Sequence, residues 1–425
     1  MLTIISFIYR VIYRLAMFSK SFLALVFPPS VMQMAKKRIL RKAFPLNTGS
    51  NPTGNKHYPP GINLIGYARA EMGIGESCRI MAKSLNAVNF PFGITNFTGT
   101  NKARMTDLTW IHKEVENPQY NINVFHINAE QMIEIYAHYG NSIFKDRYNI
   151  GYWHWELPDF PDDWLESFQI VNEIWVPSTF VANSIALKSP VPVVKIPHSI
   201  EVNIPTPRSR EYFHLPEKAF LFLTMYDVKS YQERKNPRAS IEAFKLAFGP
   251  DDLHVGLVVK VNSSTSSPDE MQLLEELISN YNNIYLIKEI LSREDTNSLI
   301  DATNGYISLH RSEGFGLGLA EAMYLGKSVI GTNWSSNTDF MNHQNSCLVD
   351  YNLIPVGRDH GPYKAYQYWA NPDIEHASYF MKRLVTDIDY YKSISQKGEQ
   401  MIKESFSPIA VGKTIEKRLK YLKLL

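Results

Sequence analysis

Hydrophobic runs alternate with helix-patterned stretches along most of this chain. "INLIGY", "INVFHI", "NIGYW", "EIWVP" and "VVKIP" come first. After the Pro- and charge-rich segment "NIPTPRSREYFHLPEK" come "FLFLTMY", "VGLVVKV", "IYLI", "GYISLH" and "SVIGT". These runs are apolar throughout instead of alternating with polar residues, as parallel strands covered on both faces require. The pattern predicts an α/β protein of two doubly wound, Rossmann-like domains facing a cleft. Its divisions are a leader and linker over 1–58, a first domain over 59–205, a second over 206–405, and a closing helix over 406–425 that packs back on the first domain.

The leader reads differently. In "MLTIISFIYRVIYRLAMFSKSFLALVF" the polar residues Thr3, Ser6, Arg10 and Arg14 recur at helical spacing on an otherwise apolar helix, and "MAKKRILRK" follows as a basic cluster. Arg10, Arg14 and Lys20 interrupt the apolar run too often for a spanning helix, and no small-residue cleavage site follows it. The expectation is an amphipathic helix on an anionic membrane surface, its polar stripe toward water. The alternative is that the leader packs on the body of the protein or on a partner.

Charge sharpens that contrast. The net charge of +2 conceals ten basic and no acidic residues before Glu71, leaving 34 basic against 42 acidic in the rest. An acidic body argues against nucleic acid as a partner. Cys78 and Cys347 are too few and too far apart for a disulfide framework or a zinc site, which fits a reducing cytoplasm. The expected location is cytoplasmic, peripheral on the inner face of the membrane.

Candidate chemistry gathers where strands run into helices, the place where ligands bind in such sheets. "GYISLH" leads through "RSEGFG" into "LGLAEAMYLG", putting Glu313 and Glu321 on either side of a glycine loop at the mouth of a helix. A helix N-terminus suits phosphate. Carboxylates beside it suit hydroxyl groups instead, and a nucleotide-sugar offers both. Arg234 and Lys235, in "YQERKNPRASIEAF", stand at a second such junction as adjacent fixed cations for a diphosphate.

Through "ERKNP", "VVKV", "SLHRSEGFGLGLAEAMYLGKSVIGTNWSSNTDF" and "YWANPD", the second domain resembles the retaining family 4 glycosyltransferases of GT-B fold. "GYWHWELPDFPDDW" and "EIWVPSTF" extend the resemblance to the first domain. It implies that Arg234 and Lys235 grip the donor diphosphate, Glu313 reaches the transferred sugar and Glu321 binds the ribose. Phe315, Gly316, Leu317 and Gly318 then face sugar and phosphate, with Lys260 and His310 completing the donor set. It implies transfer of a hexose, mannose or another, from a donor such as GDP-mannose or a UDP-sugar to a saccharide or lipid-linked saccharide, with retention. No cofactor and no metal are required. The "DID" at Asp387 to Asp389 lies in a helical pattern and reads as a solvated face, not a metal motif.

On the acceptor side the resemblance implies that Gly73 and Gly75 bring backbone close to substrate, and that His154 faces the acceptor. Asn128 stands where relatives often carry a second histidine, and Ser336 where many carry glycine. Glu156 is either an acceptor base or a helix cap. His154 and His126 are equally readable as hydrogen-bonded residues at strand ends, and Trp153, Trp155 and Trp164 as sugar platforms or, for at least two of them, core. "GIGESC" is no dinucleotide fingerprint, because Cys78 occupies the third glycine position. Two competing readings are a sugar-nucleotide epimerase of related fold, against which the Arg-Lys and paired-glutamate combination argues, and an inactive sugar-binding scaffold.

Overall fold

The structure, a computed structural model, describes residues 2–18, 22–23, 26–43, 58–99 and 103–425. The side chains of Thr3, Arg14, Lys37 and Arg41, Lys20, and the linker from 44 to 57 lie outside what is described.

Two helices come first, α1 (Leu2–Phe18) and α2 (Pro29–Ala43). They pack on each other, and Ser6 and Arg10 of the polar stripe reach the end of α2. Ser6 is buried and its Oγ donates to Ala43 O at 2.6 Å, while Arg10 Nε donates to the same carbonyl at 2.9 Å. The expected water-facing stripe is therefore corrected at Ser6, which is buried; Arg10 stays exposed, and the two together close the carboxyl end of α2, whose last carbonyls have no helical partner. Lys36, expected over lipid, instead pairs with Glu134 at 2.6 Å. The outward side carries Phe7, Ile8, Val11, Ile12 and Leu15 of α1 and Val31 and Met34 of α2, all exposed.

The first domain holds β1 (Ile62–Gly66), α3 (Gly73–Ala87), β2 (Phe92–Asn96), β3 (Ile122–His126), α4 (Met132–Tyr139), β4 (Tyr148–Tyr152), β5 (Glu173–Val176), α5 (Thr179–Ala186) and β6 (Val193–Lys195). Its strands form one parallel sheet in the order β2-β1-β3-β4-β5-β6. Successive residues feed opposite faces: Leu64, Val124 and Ile150 enter one core, and Ile65 and Phe125 the other. Burial on both faces is what the unbroken apolar runs encode. The strands also share a buried polar rung, with Asn63 Nδ2 donating to Asn123 Oδ1 at 3.0 Å and Asn123 Nδ2 to Asn149 Oδ1 at 2.8 Å. A slip of one residue would strand these amides without partners, so the rung fixes register.

The second domain holds β7 (Phe220–Asp227), α6 (Gln232–Lys235), α7 (Pro237–Ala247), β8 (Val255–Asn262), α8 (Pro268–Ile278), β9 (Ile284–Ile287), α9 (Arg293–Ala302), β10 (Gly305–Ser308), α10 (Leu317–Tyr324), β11 (Ser328–Thr332) and β12 (Cys347–Val349). Its sheet runs β12-β11-β10-β7-β8-β9, again parallel. The antiparallel hairpin β13 (Tyr351–Pro355) and β14 (Tyr368–Pro372) follows, then α11 (Ile374–Thr386), α12 (Ile388–Ser405) and α13 (Pro408–Tyr421). The fold class matches the sequence-based expectation.

One local difference lies at "DID". The helical pattern is broken there, because Asp387 caps α12 by accepting from Tyr390 N at 2.9 Å. Helix α13 leaves the second domain and lies on α3, with Val411, Ile415 and Leu419 in the core of the first domain. A Cβ on Gly412 would stand 2.5 Å from Ser84 O, so a side chain there would push the two helices apart.

Candidate functional site

In the second sheet the strand order reverses between β7 and β10, and ligands in such sheets bind outside the carboxyl ends of strands at that switch. Arg234 and Lys235 follow β7, and Glu313 follows β10, so topology alone brings together residues almost eighty positions apart. Arg234 Nη1 lies 3.2 Å from Glu313 Oε2, and Lys235 Nζ lies 2.5 Å from Oε1. Arg234 Nη1 also donates to Ser312 O at 2.8 Å, and Ser335 Oγ accepts from Glu313 N at 2.9 Å. Asn236, in a left-handed conformation at φ 50°, ends α6 and donates from Nδ2 to Leu309 O, tying the two loops together.

Burial alone would raise the Glu313 carboxyl, but Lys235 and Arg234 hold its pKa down at about 2. The cluster is thus two cations and one carboxylate, net positive at any physiological pH. Arg234 Nε is buried without a protein partner among the described residues, and Lys235 keeps donors to spare. Such a cluster can take a diphosphate.

Glu321, on α10, is buried and its carboxylate pairs with Arg293 at the start of α9. Burial raises its pKa, against the opposing pull of Arg293. Arg293 Nη2 also stands 3.9 Å from Glu76 on α3, bridging the two domains. Gly316 opens α10 at φ 96°, a conformation costly for any other residue. Gly318 packs on the barest margin, since a Cβ there would lie 2.6 Å from Tyr306 Oη. Phe315 is buried against His198 and Phe340, with its side chain in the core, and Leu317 sits half-buried at the helix start.

His310 is buried between Ser308 Oγ at 3.1 Å and Asn337 Oδ1 at 3.0 Å, and burial lowers its pKa. It shapes the loop from below. Lys260 lies apart from the glutamates, buried on β8 with its Nζ donating to Asn262 Oδ1 at 2.6 Å; burial lowers its pKa to about 8. Its Nζ bonds go to Val261 O and Asn262 Oδ1, not to Glu313 or Glu321.

Across the cleft, the first domain presents loops following β1, β3 and β4. Asn128 Oδ1 accepts from His154 N at 3.0 Å, linking two of them. His154 Nε2 lies 3.1 Å from His198 Nε2, and His126 stacks on Tyr152 at 4.6 Å. Burial lowers the pKa of His126 to about 3 and of His154 to about 4, and drives that of His198 well below its ordinary value. All three are neutral at pH 7. Glu156 caps no helix; it meets the glycine loop, where Ser312 Oγ donates to its carbonyl and a Cβ on Gly314 would lie 3.8 Å from its Oε1. Gly75 is demanded by the protein's own turn, since a Cβ would strike Ala70 O at 2.2 Å, whereas Gly73 faces open space. Trp153 and Trp155 are fully buried core.

Sequence reasoning passed over His198, Arg293 and Ser335. "VVKIPHSI" carried the signal for His198, a histidine just past a strand end; Arg293 and Ser335 had none, because each matters only through a residue distant in the chain.

Residues 210–352 match the family model for glycosyl transferases group 1. No sequence among curated proteins matches the chain. Solved structures of similar fold include Anabaena HepE in complex with UDP-glucose, at 12% identity and a TM-score of 0.63, covering 85% of this chain and 100% of that one. Sucrose-phosphate synthase from Thermosynechococcus elongatus follows at 13% identity and 0.61, covering 86% and 99%. A glycosyltransferase from Rickettsia africae has 14% identity and a TM-score of 0.61, covering 86% and 100%. The fold is therefore GT-B.

Proposed function

Because its second domain carries the glycosyl transferases group 1 pattern on a GT-B fold, we propose that this protein transfers a hexose from a nucleotide-sugar to a saccharide acceptor with retention at the anomeric carbon. The carrying observation is the joining of Arg234, Lys235 and Glu313 at the switch point of the second sheet, opposite Glu156 and His154. HepE, of similar fold, has been crystallised with UDP-glucose, which supports a nucleotide-sugar as donor.

In this reading Arg234 and Lys235 hold the diphosphate and stabilise its charge as the bond from the anomeric carbon to phosphate breaks. The acceptor hydroxyl attacks from the same face, and its proton passes to the departing phosphate oxygen. Glu321 takes the ribose, exchanging its Arg293 pairing for hydroxyl groups. A cation touching developing charge contributes on the order of 3 kcal/mol, about a hundredfold in rate. Two side-chain cations supply that charge, so the reaction needs no metal.

The acceptor we propose is lipid-linked, used at the inner face of the membrane. Among the described residues no helix is long and apolar enough to cross a membrane. The exposed apolar side of α1 and α2, with Arg38 and Lys42 also exposed, supports a peripheral seat on anionic lipid.

A panel of nucleotide-sugars with saccharide acceptors, read by nucleoside diphosphate release, tests the proposal. The expected result is release that depends on acceptor and persists in EDTA. Binding without release by any donor would leave only a sugar-binding scaffold.

A further inference from the structure

After β12 the chain does not go straight to α11. The hairpin β13–β14 and its loop reach across to the first domain, where Val356, Tyr363 and Trp369 are buried in the same cluster as Trp153, Trp155 and Phe160. Gln367 Nε2 fastens the loop by donating to Asp159 O at 2.8 Å. This is a strap from one domain packed into the core of the other.

At its centre Tyr363 is 4% exposed. Its ring lies 5.5 Å from Trp155 and 5.3 Å from Tyr231, and the Arg234 guanidinium stands 5.9 Å from the ring centre. Its hydroxyl donates to Glu156 Oε2 at 3.1 Å. Burial raises the phenol well above its ordinary range, so the proton stays on Tyr363 and Glu156 is the acceptor. The other carboxylate oxygen, Oε1, lies toward Gly314 in the donor loop. Tyr363 thus touches, at once, the residue that faces the acceptor and the residue that grips the diphosphate.

We propose that Tyr363 is a positioning residue for transfer, clamping one oxygen of Glu156 so that the other accepts a hydrogen bond from a non-reacting hydroxyl of the acceptor beside the donor loop. This rests on the transferase reading. Tyr363 itself contacts neither substrate, and no bond to it forms or breaks. The competing account is that Tyr363 is structural, joining the strap to the aromatic cluster and nothing more. Those two accounts differ in what the hydroxyl does, because the ring alone supplies the packing.

The test is Tyr363→Phe, which keeps the ring, together with Glu156→Gln and the double variant. The expected result is a melting temperature near wild type and about a tenfold or larger fall in the turnover number for transfer to saccharide. Donor hydrolysis by water and nucleoside diphosphate affinity stay within about threefold, and the double variant is no slower than Glu156→Gln alone. Wild-type transfer by Tyr363→Phe, equal loss of transfer and hydrolysis, or multiplying defects in the double variant would each overturn the proposal. Should Tyr363→Phe fail to fold, Glu156→Gln decides: a transfer-only loss supports the clamp, and full activity removes its object. Wild-type protein that binds nucleoside diphosphate but transfers and hydrolyses nothing would fail the transferase reading itself, and the clamp with it.

Discussion

Glu313 is held by two cations that it holds in turn, and this mutual arrangement decides what its loss would do. Removing the carboxylate altogether would leave buried Arg234 without the carboxylate it bonds to, a loss of roughly 3 to 5 kcal/mol in stability. Glu313→Gln is the cleaner variant. It is expected to cut turnover about a hundredfold while binding nucleoside diphosphate at least as tightly as wild type, because the cluster gains one unit of positive charge. Calorimetry with UDP and GDP beside a turnover assay checks this; weakened diphosphate binding would mean the carboxylate serves to place the cations. A carboxyl with a depressed folded pKa contributes stability above its unfolded value and loses it as pH falls toward about 2, so Glu313 cannot produce an acid limb near pH 5. Each of these three residues was legible in a short motif of its own. Their pairing was not, because 78 residues separate Lys235 from Glu313 and only strand order closes that gap.

Helices α1 and α2 show the same division between pattern and partner. Spacing alone revealed an amphipathic helix, but not that Ser6 and Arg10 would find an unsatisfied carbonyl at Ala43, since that requires knowing where α2 ends. With Ser6 turned inward, the apolar residues on the outer side are the surface left for lipid. The protein is expected to co-sediment with anionic vesicles and to lose that association when residues 1–45 are removed. Phe7→Glu with Leu15→Glu should weaken it by about tenfold or more, since each places a charge in the headgroup boundary, while UDP affinity stays unchanged. Retention of full vesicle binding by the charged variant would move the contact to another surface. Attraction of roughly 1 kcal/mol per basic residue also implies weaker binding at higher salt.

Across the whole molecule, the two-domain α/β layout was readable because most strands of the two parallel sheets are buried on both faces and so carry their own signature. The strap and the histidine cluster were not, since each is completed by residues of another segment. That cluster has a consequence for pH. His126, His154 and His198 titrate below their ordinary values when folded, so on acidification the unfolded chain takes up protons first, near pH 6.5, and the folded state only near 4 and below. Stability is therefore full above about pH 6.5 and falls between 6.5 and 4. Chemical denaturation from pH 7.5 to 4.5 should show that decline, and His154→Gln should flatten it; an equally steep decline in the variant would assign it to other groups.

The last helix places one member of an ion pair very late in the chain. Glu173 is fully buried on β5, accepts from Trp175 Nε1 at 2.6 Å, and finds its counter-charge in Arg418 of α13, 2.5 Å away and 245 residues further along the chain. At roughly 5 to 20 residues per second, a ribosome needs about 12 to 50 seconds to travel from one to the other. Through that interval the nascent first domain carries a carboxylate that cannot be both charged and buried. It must wait with β5 loosely packed and wet, and the order of domain completion is the reverse of the order of synthesis.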